Sequence, residues 1–237
     1  MINLANLPKN QITTIQLTAI IDTALCVGAG GSSGSLADKP IIRNAQGQLL
    51  IPASQLKGRL RHECEKIARG LGWEIFASPK AETLCPSEAE VSHQFRNAYK
   101  VDGYRGYHCL ISRIFGNPIL PSRIIVDDLI CPIDKESLPE VIRPGVTINR
   151  RRLTAEENKL FFLETSPANN QLEFTGSIHL LPDCPSYARA LILAGLRHIH
   201  ALGGSKSAGL GWLSWQNLET LPEDDAAWEM LLPQVES

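Results

Sequence analysis

The chain has 237 residues, 43% hydrophobic and 20% charged, with 23 basic against 25 acidic side chains and a formal net charge of −2. That length suits one elaborated domain or two small ones with a real core. No run approaches the ~18 apolar residues of a membrane helix, and the first ten residues lack the basic-then-apolar order of a signal peptide, so the chain reads as cytoplasmic with no membrane partner. The net charge hides an asymmetry, because residues 217–237 hold six acids and no Lys or Arg. Every basic residue therefore lies in the body, and local clusters matter more than global charge for gripping phosphates.

In chain order, residues 11–25 alternate around Ile12, Ile15, Leu17 and Ala19 and predict a first strand that runs out near Asp22. A glycine- and serine-rich loop follows over residues 28–35. Residues 39–43 and 48–52 flank Asn44-Ala45-Gln46-Gly47, which is hairpin-turn chemistry. Ser54 is the expected N-cap of a helix over residues 55–71, with Lys57, Arg59 and Arg61 in its first two turns. Residues 72–112 show no sustained period and read as an insertion, closed by Arg113-Ile114-Phe115-Gly116.

A strand is expected over 123–130. A second insertion covers about 132–170, with a long protruding segment at 144–164. Residues 172–180 alternate cleanly as a strand. Ala188, Leu191, Ile192, Leu196 and Ile199 have the spacing of an amphipathic helix over 186–200. Leu210, Trp212 and Trp215 look like the start of a buried strand. This order predicts an α+β fold with a ferredoxin-like (RRM-like) core, a single domain over residues 1–216 with large insertions, and an acidic tail over 217–237.

The turn into that last strand is Gly203-Gly204-Ser205-Lys206-Ser207-Ala208-Gly209-Leu210-Gly211. A dinucleotide or P-loop glycine turn leads from a strand into a helix. This one has the opposite polarity, so neither motif fits. Its glycines would let backbone amides approach a sugar-phosphate chain, with Lys206 as a point charge; the bland alternative is a flexible αβ connection.

Five blocks carry a resemblance. Ile51-Pro52-Ala53-Ser54-Gln55-Leu56-Lys57-Gly58-Arg59-Leu60-Arg61 resembles the IPGSSLKGxxR segment of the CRISPR-associated RAMP superfamily, and more closely its type III effector backbone subunit. Residues 27–38, 113–116, 145–150 and 203–212 agree in order and spacing. The resemblance implies an RRM-like protein lying along a guide RNA, several subunits making a filament with copies of related backbone subunits and the other subunits of the complex. It also implies a thumb that displaces bases of the guide–target duplex, and Mg²⁺-dependent cleavage of complementary target RNA. A non-catalytic scaffold of the same complex, or a guide-processing endonuclease of the superfamily, are the alternatives.

On that resemblance Asp38 is the catalytic residue, holding a divalent cation such as Mg²⁺ or positioning a 2′-hydroxyl for in-line attack. Composition alone reads Asp38 as a turn cap, and Asp22 is a weaker rival. Lys57, Arg59, Arg61, Arg150, Arg151, Gly203, Gly204, Ser205, Lys206 and Gly209 are the expected RNA contacts. Lys57 and Arg61 stand one helical turn apart, a costly arrangement unless an anion lies between them. Asn149 departs from the acidic residue the family often has before Arg150.

Cys64, Cys85, His93 and Cys109 bracket the first insertion, which some relatives staple with zinc. A Cys₃His set suits tetrahedral Zn²⁺; buried free thiols are the alternative. Cys26, Cys131 and Cys184 look structural, as disulfides are improbable in a cytosolic chain.

Overall fold

A computed structural model describes residues 12–28, 37–77, 81–168, 170–221, 228–229 and 231–232. The expected glycine-serine loop falls almost wholly outside the described residues. The first strand, β1 (Thr13–Ile21), is an inner strand of the sheet. On one face Ile15, Leu17, Ala19 and Ile21 are buried, while on the other Thr14 and Thr18 are half-buried and Gln16 is exposed, with Ile20 buried at the end of the strand. This period-two pattern turns one face toward a core and the other toward solvent.

After β2 (Leu50–Ile51), α1 spans Ala53–Gly70. The helix starts one residue before Ser54, with Pro52 at the N-cap and no side-chain cap of its own. Asp128 supplies the missing acceptor from across the fold, its carboxylate taking the Ala53 N–H at 2.6 Å. A carboxylate at this end also meets the positive pole of the helix. The expected strand over 123–130 is split for the same reason. It forms β3 (Ile124–Val126) and β4 (Leu129–Ile130), interrupted at Asp127 and Asp128. Both halves pair antiparallel with β7 (Leu172–Leu180). Opposite the break lies Gly176, where a Cβ would sit 2.8 Å from the Asp128 carbonyl oxygen.

Two short helices, α2 (Ala81–Leu84) and α3 (Ser112–Phe115), belong to the first insertion. A two-stranded antiparallel hairpin, β5 (Val141–Asn149) and β6 (Thr154–Thr165), makes the second. Then come β7, α4 (Ala188–Arg197) and β8 (Leu213–Gln216). The main sheet runs β2-β4-β7-β1-β8. Its core strands thus follow the ferredoxin-like order, last strand beside first and third on the other side.

Leu56, Leu60 and Cys64 of α1 join Leu191, Ile192 and Leu196 of α4 and the buried face of β1 in one hydrophobic core. Gly195 allows the two helices to touch, because a Cβ there would lie 2.7 Å from the Cys64 sulfur. The same core continues into the first insertion through Phe76, Phe95 and Tyr99. It also takes in Leu231 and Trp228 of the acidic C-terminal segment. Leu231 is fully buried, and its carbonyl accepts the Trp73 indole N–H at 2.6 Å. Trp228 packs against the core while Glu229 stays exposed.

Candidate nucleic-acid interface and its aspartate

Residues 24–28, which leave β1, are the spine on which the candidate residues assemble. On one side they hold the glycine loop: Gly204 N–H donates to the Cys26 carbonyl at 2.7 Å, and Gly211 N–H to the Ala24 carbonyl at 2.9 Å. Leu25 exchanges bonds with the end of the hairpin, its N–H reaching Ser166 Oγ at 2.8 Å and its carbonyl accepting Ser166 N–H at 2.9 Å. Val27 accepts the Ile42 N–H at 2.9 Å, and Gly28 bridges Ile41. Ala24, Cys26 and Leu210 bury together, with Leu163 of β6 packed on them. Glycine loop, hairpin base and the extended segment after Asp38 are therefore tied to one five-residue segment.

Two of the loop's glycines answer to this packing. At Gly203, with φ +92°, a Cβ would meet the Cys26 carbonyl oxygen at 2.6 Å. At Gly211, with φ +71°, it would meet the Leu202 carbonyl oxygen at 1.8 Å. No other residue type fits either position. Ser205 takes the left-handed region as well, at φ 53°. Lys206 is exposed and its Nζ rests 3.0 Å from the Gly203 carbonyl, ready to exchange that acceptor for a stronger anion.

Facing the loop is the N-terminal half of α1. Ser54, Gln55, Gly58, Arg59 and His62 line a groove of about 330 Å³ whose other wall is residues 201–203 and Lys206. Arg59 pairs with the buried Glu63 at 2.8 Å. Its Nε and the Oε1 of Gln55 are buried with no hydrogen-bond partner among the described residues. Such atoms cost roughly 1–3 kcal/mol each unless water or a ligand satisfies them. For this groove sequence reasoning named Arg59 and Lys206 but missed Gln55 and His62; outside it, Trp212, expected at the start of a buried strand, is exposed. Residues 54, 55, 58, 59 and 62 share one helix face, and that spacing was the signal available.

Lys57 and Arg61 stand on a different face. Lys57 Nζ donates to Ser122 Oγ at 2.8 Å, and Arg61 donates to the Gly116 carbonyl at 2.9 Å and pairs with Glu65 at 3.1 Å. Burial, then the neighbouring Arg61, holds the Lys57 pKa below its ordinary value. Glu65 is the anion beside Arg61, Lys57 reaches the Ser122 hydroxyl, and the two cations clamp the turn that follows Arg113-Ile114-Phe115-Gly116.

At the far end of the hairpin, Arg150, Arg151, Arg152 and Leu153 form an exposed tip. Asn149 accepts the N–H groups of Arg151 and Arg152, each at 3.1 Å, which fixes the turn without an acidic neighbour. Gly145 lets the strands close, because the Phe161 ring occupies the space its Cβ would fill.

Asp38 is exposed and sits at the hairpin base. Its Oδ2 accepts the Phe162 N–H at 2.7 Å, so it does cap, but across the fold rather than within its own turn. Asp22, the rival, is partly buried with its N–H bonded to the Trp212 carbonyl. Among the described residues no group of three or more His, Cys, Asp or Glu side chains is placed to hold a metal ion. Asp38 fits a cation only as Mg²⁺ is often held, by one carboxylate completed by water and substrate phosphate.

The four expected zinc ligands are not brought together. Cys64 is fully buried against α4, its thiol 3.5 Å from the Leu191 carbonyl, and burial raises its pKa far above the ordinary thiol value. Cys109 lies 3.4 Å from Ser112 Oγ, Cys85 is partly exposed, and His93 is exposed. The insertion closes instead on His108 and Asn117. Asn117 Nδ2 meets His108 Nδ1 at 2.9 Å, and the opposite ring nitrogen lies 3.1 Å from the Arg105 carbonyl. Asn117 Oδ1 takes the N–H groups of Ile119 and Leu120.

No helix among the described residues is long and apolar enough to cross a membrane. No individually curated protein matches the chain. A family model described as the RAMP superfamily matches residues 18–214, from within β1 to within β8 and across the groove, the hairpin and the segment after Asp38. The chain belongs to the RAMP superfamily of CRISPR-associated, RNA-binding proteins.

Proposed function

We propose that this chain is a guide-RNA-binding backbone subunit of a type III effector complex that cleaves complementary target RNA at regular intervals. The observation that carries the reading is the position of Asp38. It is an exposed carboxylate at the joint between sheet and hairpin, tied through residues 24–28 to the glycine loop. Guide RNA would lie in the groove of Gln55, Arg59, His62 and Lys206, where, among the described residues, the buried Arg59 Nε has no hydrogen-bond partner and could donate to a phosphate, and the buried Gln55 Oε1 has none and could accept a ribose hydroxyl. Gly203, Gly204, Ser205 and Gly209 would bring loop backbone to the same strand. Arg150, Arg151 and Arg152 would hold backbone on the hairpin side, and the apolar hairpin surface would separate guide from target where it crosses them. The remaining partners are copies of related backbone subunits and the other proteins of the complex.

Cleavage would follow from Asp38 beside a nucleotide held out of the stack, since an unstacked ribose is easier to align for in-line attack. A bound Mg²⁺, when present, supplies charge stabilisation at the phosphate. Asp38 would hold that ion or the 2′-hydroxyl from the protein side while the Phe162 N–H keeps the carboxylate oriented. The test is cleavage of labelled complementary RNA by the assembled complex carrying Asp38→Ala, with target binding measured in parallel. Cutting should fall about 100- to 1000-fold while binding is unchanged. Cutting at the wild-type rate would leave the chain as a non-catalytic scaffold.

A further inference from the structure

The link between Asp38 and the hairpin is a short parallel ladder with an unusual construction. Lys39 N–H donates to the Phe162 carbonyl at 3.3 Å, and Glu164 N–H donates to the Lys39 carbonyl at 3.1 Å. Lys39 and Leu163 are the bridge pair. In a regular parallel ladder the next bonds outward would go to main-chain carbonyls. Here side-chain carboxylates take them at both ends. Asp38 Oδ2 accepts the Phe162 N–H at 2.7 Å, where the carbonyl of residue 37 would stand. Glu164 Oε2 accepts the Ile41 N–H at 3.1 Å, where its own carbonyl would stand.

Glu164 is only 6% exposed, and its second oxygen lies 3.5 Å from the Arg43 guanidinium. A buried carboxylate persists when paired and hydrogen-bonded, and this one has both a cation and an N–H. It holds the segment that follows Asp38 by its far end. Lys39 and Pro40 separate Asp38 from Ile41, so a shift of β6 moves both anchors together.

We propose that Glu164 is a positioning residue for Asp38: it locks the segment that follows Asp38 to β6, so that the hairpin's position on RNA sets where the carboxylate stands. This rests on the reading of Asp38 as the cleavage residue. Glu164 touches no substrate; it acts through Ile41 and the ladder. The consequence is that cutting answers to hairpin engagement, with the carboxylate carried to the displaced nucleotide by the same strand that displaces it.

The experiment compares Glu164→Ala, Glu164→Gln and Asp38→Ala in the assembled complex. It measures single-turnover cleavage, target affinity, and hydrogen exchange at the Ile41 and Phe162 amides. Glu164→Ala should slow cleavage about 100-fold, the cost of roughly 1 Å of misplacement, with affinity unchanged. Exchange at Ile41 and Phe162 should quicken while the amides of β1 stay protected. Glu164→Gln, which keeps an oxygen for the Ile41 N–H, should recover most of the rate.

Wild-type cutting per complex by Glu164→Ala, or a glutamine variant as slow as the alanine one, overturns the proposal. If Asp38→Ala cuts normally, the cleavage assignment fails instead, and amide exchange still reports whether Glu164 holds the ladder. Should the alanine variant not assemble, Glu164→Asp carries the same expectations, because it keeps the charge and loses the reach.

Discussion

Residues 73–120 turn most of their aromatic side chains inward, whereas the hairpin of residues 141–165 turns apolar side chains outward. In the first insertion Trp73, Phe76, Phe95 and Tyr99 form one cluster, with ring centroids 5.3–6.2 Å apart, continuous with the main core. In the second, Ile148 is 58% exposed, Leu160 60% and Leu153 84%. Hydrophobic side chains left in water on a projecting element mark an interaction surface. One insertion is held by what it buries and the other by the short ladder at its base. The first should therefore report on stability and the second on binding.

The largest effect that would break this division is on the aromatic side. Tyr99 is almost fully buried, and its hydroxyl donates to the Glu74 carbonyl at 2.5 Å. Tyr99→Ala should cost about 3–5 kcal/mol, measured by denaturant unfolding. RNA affinity of the fraction that remains folded should not change. A Tyr99→Ala chain of normal stability and poor affinity would reverse the roles of the two regions.

The reciprocal change is at the tip. Arg150, Arg151 and Arg152 make no ion pair among the described residues. Replacing all three by alanine should leave stability within about 0.5 kcal/mol. If each meets a phosphate of single-stranded RNA, the slope of log affinity against log salt should become shallower by about 2. The loss should be the same for unrelated RNA sequences, because phosphate contacts carry no base information. A sequence-dependent loss, or an unchanged slope, would remove the tip from the RNA track.

The sequence made the core legible and the tertiary clamps opaque, for one reason. Period-two alternation in residues 172–180 and helical spacing in 188–199 are local, so β7 and α4 emerge near their true bounds. Ser54 misled because the cap of α1 comes from Asp128, 75 residues away in the chain. The strand over 123–130 broke because Asp127 and Asp128 are used elsewhere, on His179 and on Ala53. At the site, composition alone marked the glycine loop and the arginine tip. It did not separate Arg59 from Lys57 and Arg61, since all three look alike until the partners Glu65, Gly116 and Ser122 are in place. Nor does anything local mark Glu164, whose role depends on Ile41 and Arg43.

A smaller effect separates the first insertion by pH. His108 is buried, and burial depresses its pKa below the ordinary 6.5. The folded chain therefore binds this proton less readily than the unfolded one. Its contribution to stability is full above about pH 6.5 and is lost as pH falls through the depressed folded value. Burial is the largest cause and the nearby Arg113 charge acts the same way, against the Arg105 carbonyl, which favours the protonated ring. Unfolding midpoints measured downward from pH 7 should fall, and His108→Gln should flatten the fall. Tyr104, packed edge-on against His108, offers a local fluorescence probe of the same event.

The smallest expected effect is on metal removal, and it bears on how the insertion is closed. Zinc would need thiolates and an imidazole within reach of a single point. The Cys64 thiol faces α4 with its proton held by burial, while His93 lies on the surface. The work a metal staple would do falls to neutral bonds: Asn117 reaches His108, Leu84, Ile119 and Leu120. A strong chelator should then leave the unfolding midpoint of the whole chain unmoved, whereas Asn117→Ala should lower stability by about 1–3 kcal/mol by leaving several buried partners unsatisfied. A midpoint that drops with chelator and returns with added zinc would mean that the insertion gathers its thiols after all, and that the aromatic cluster alone does not hold it.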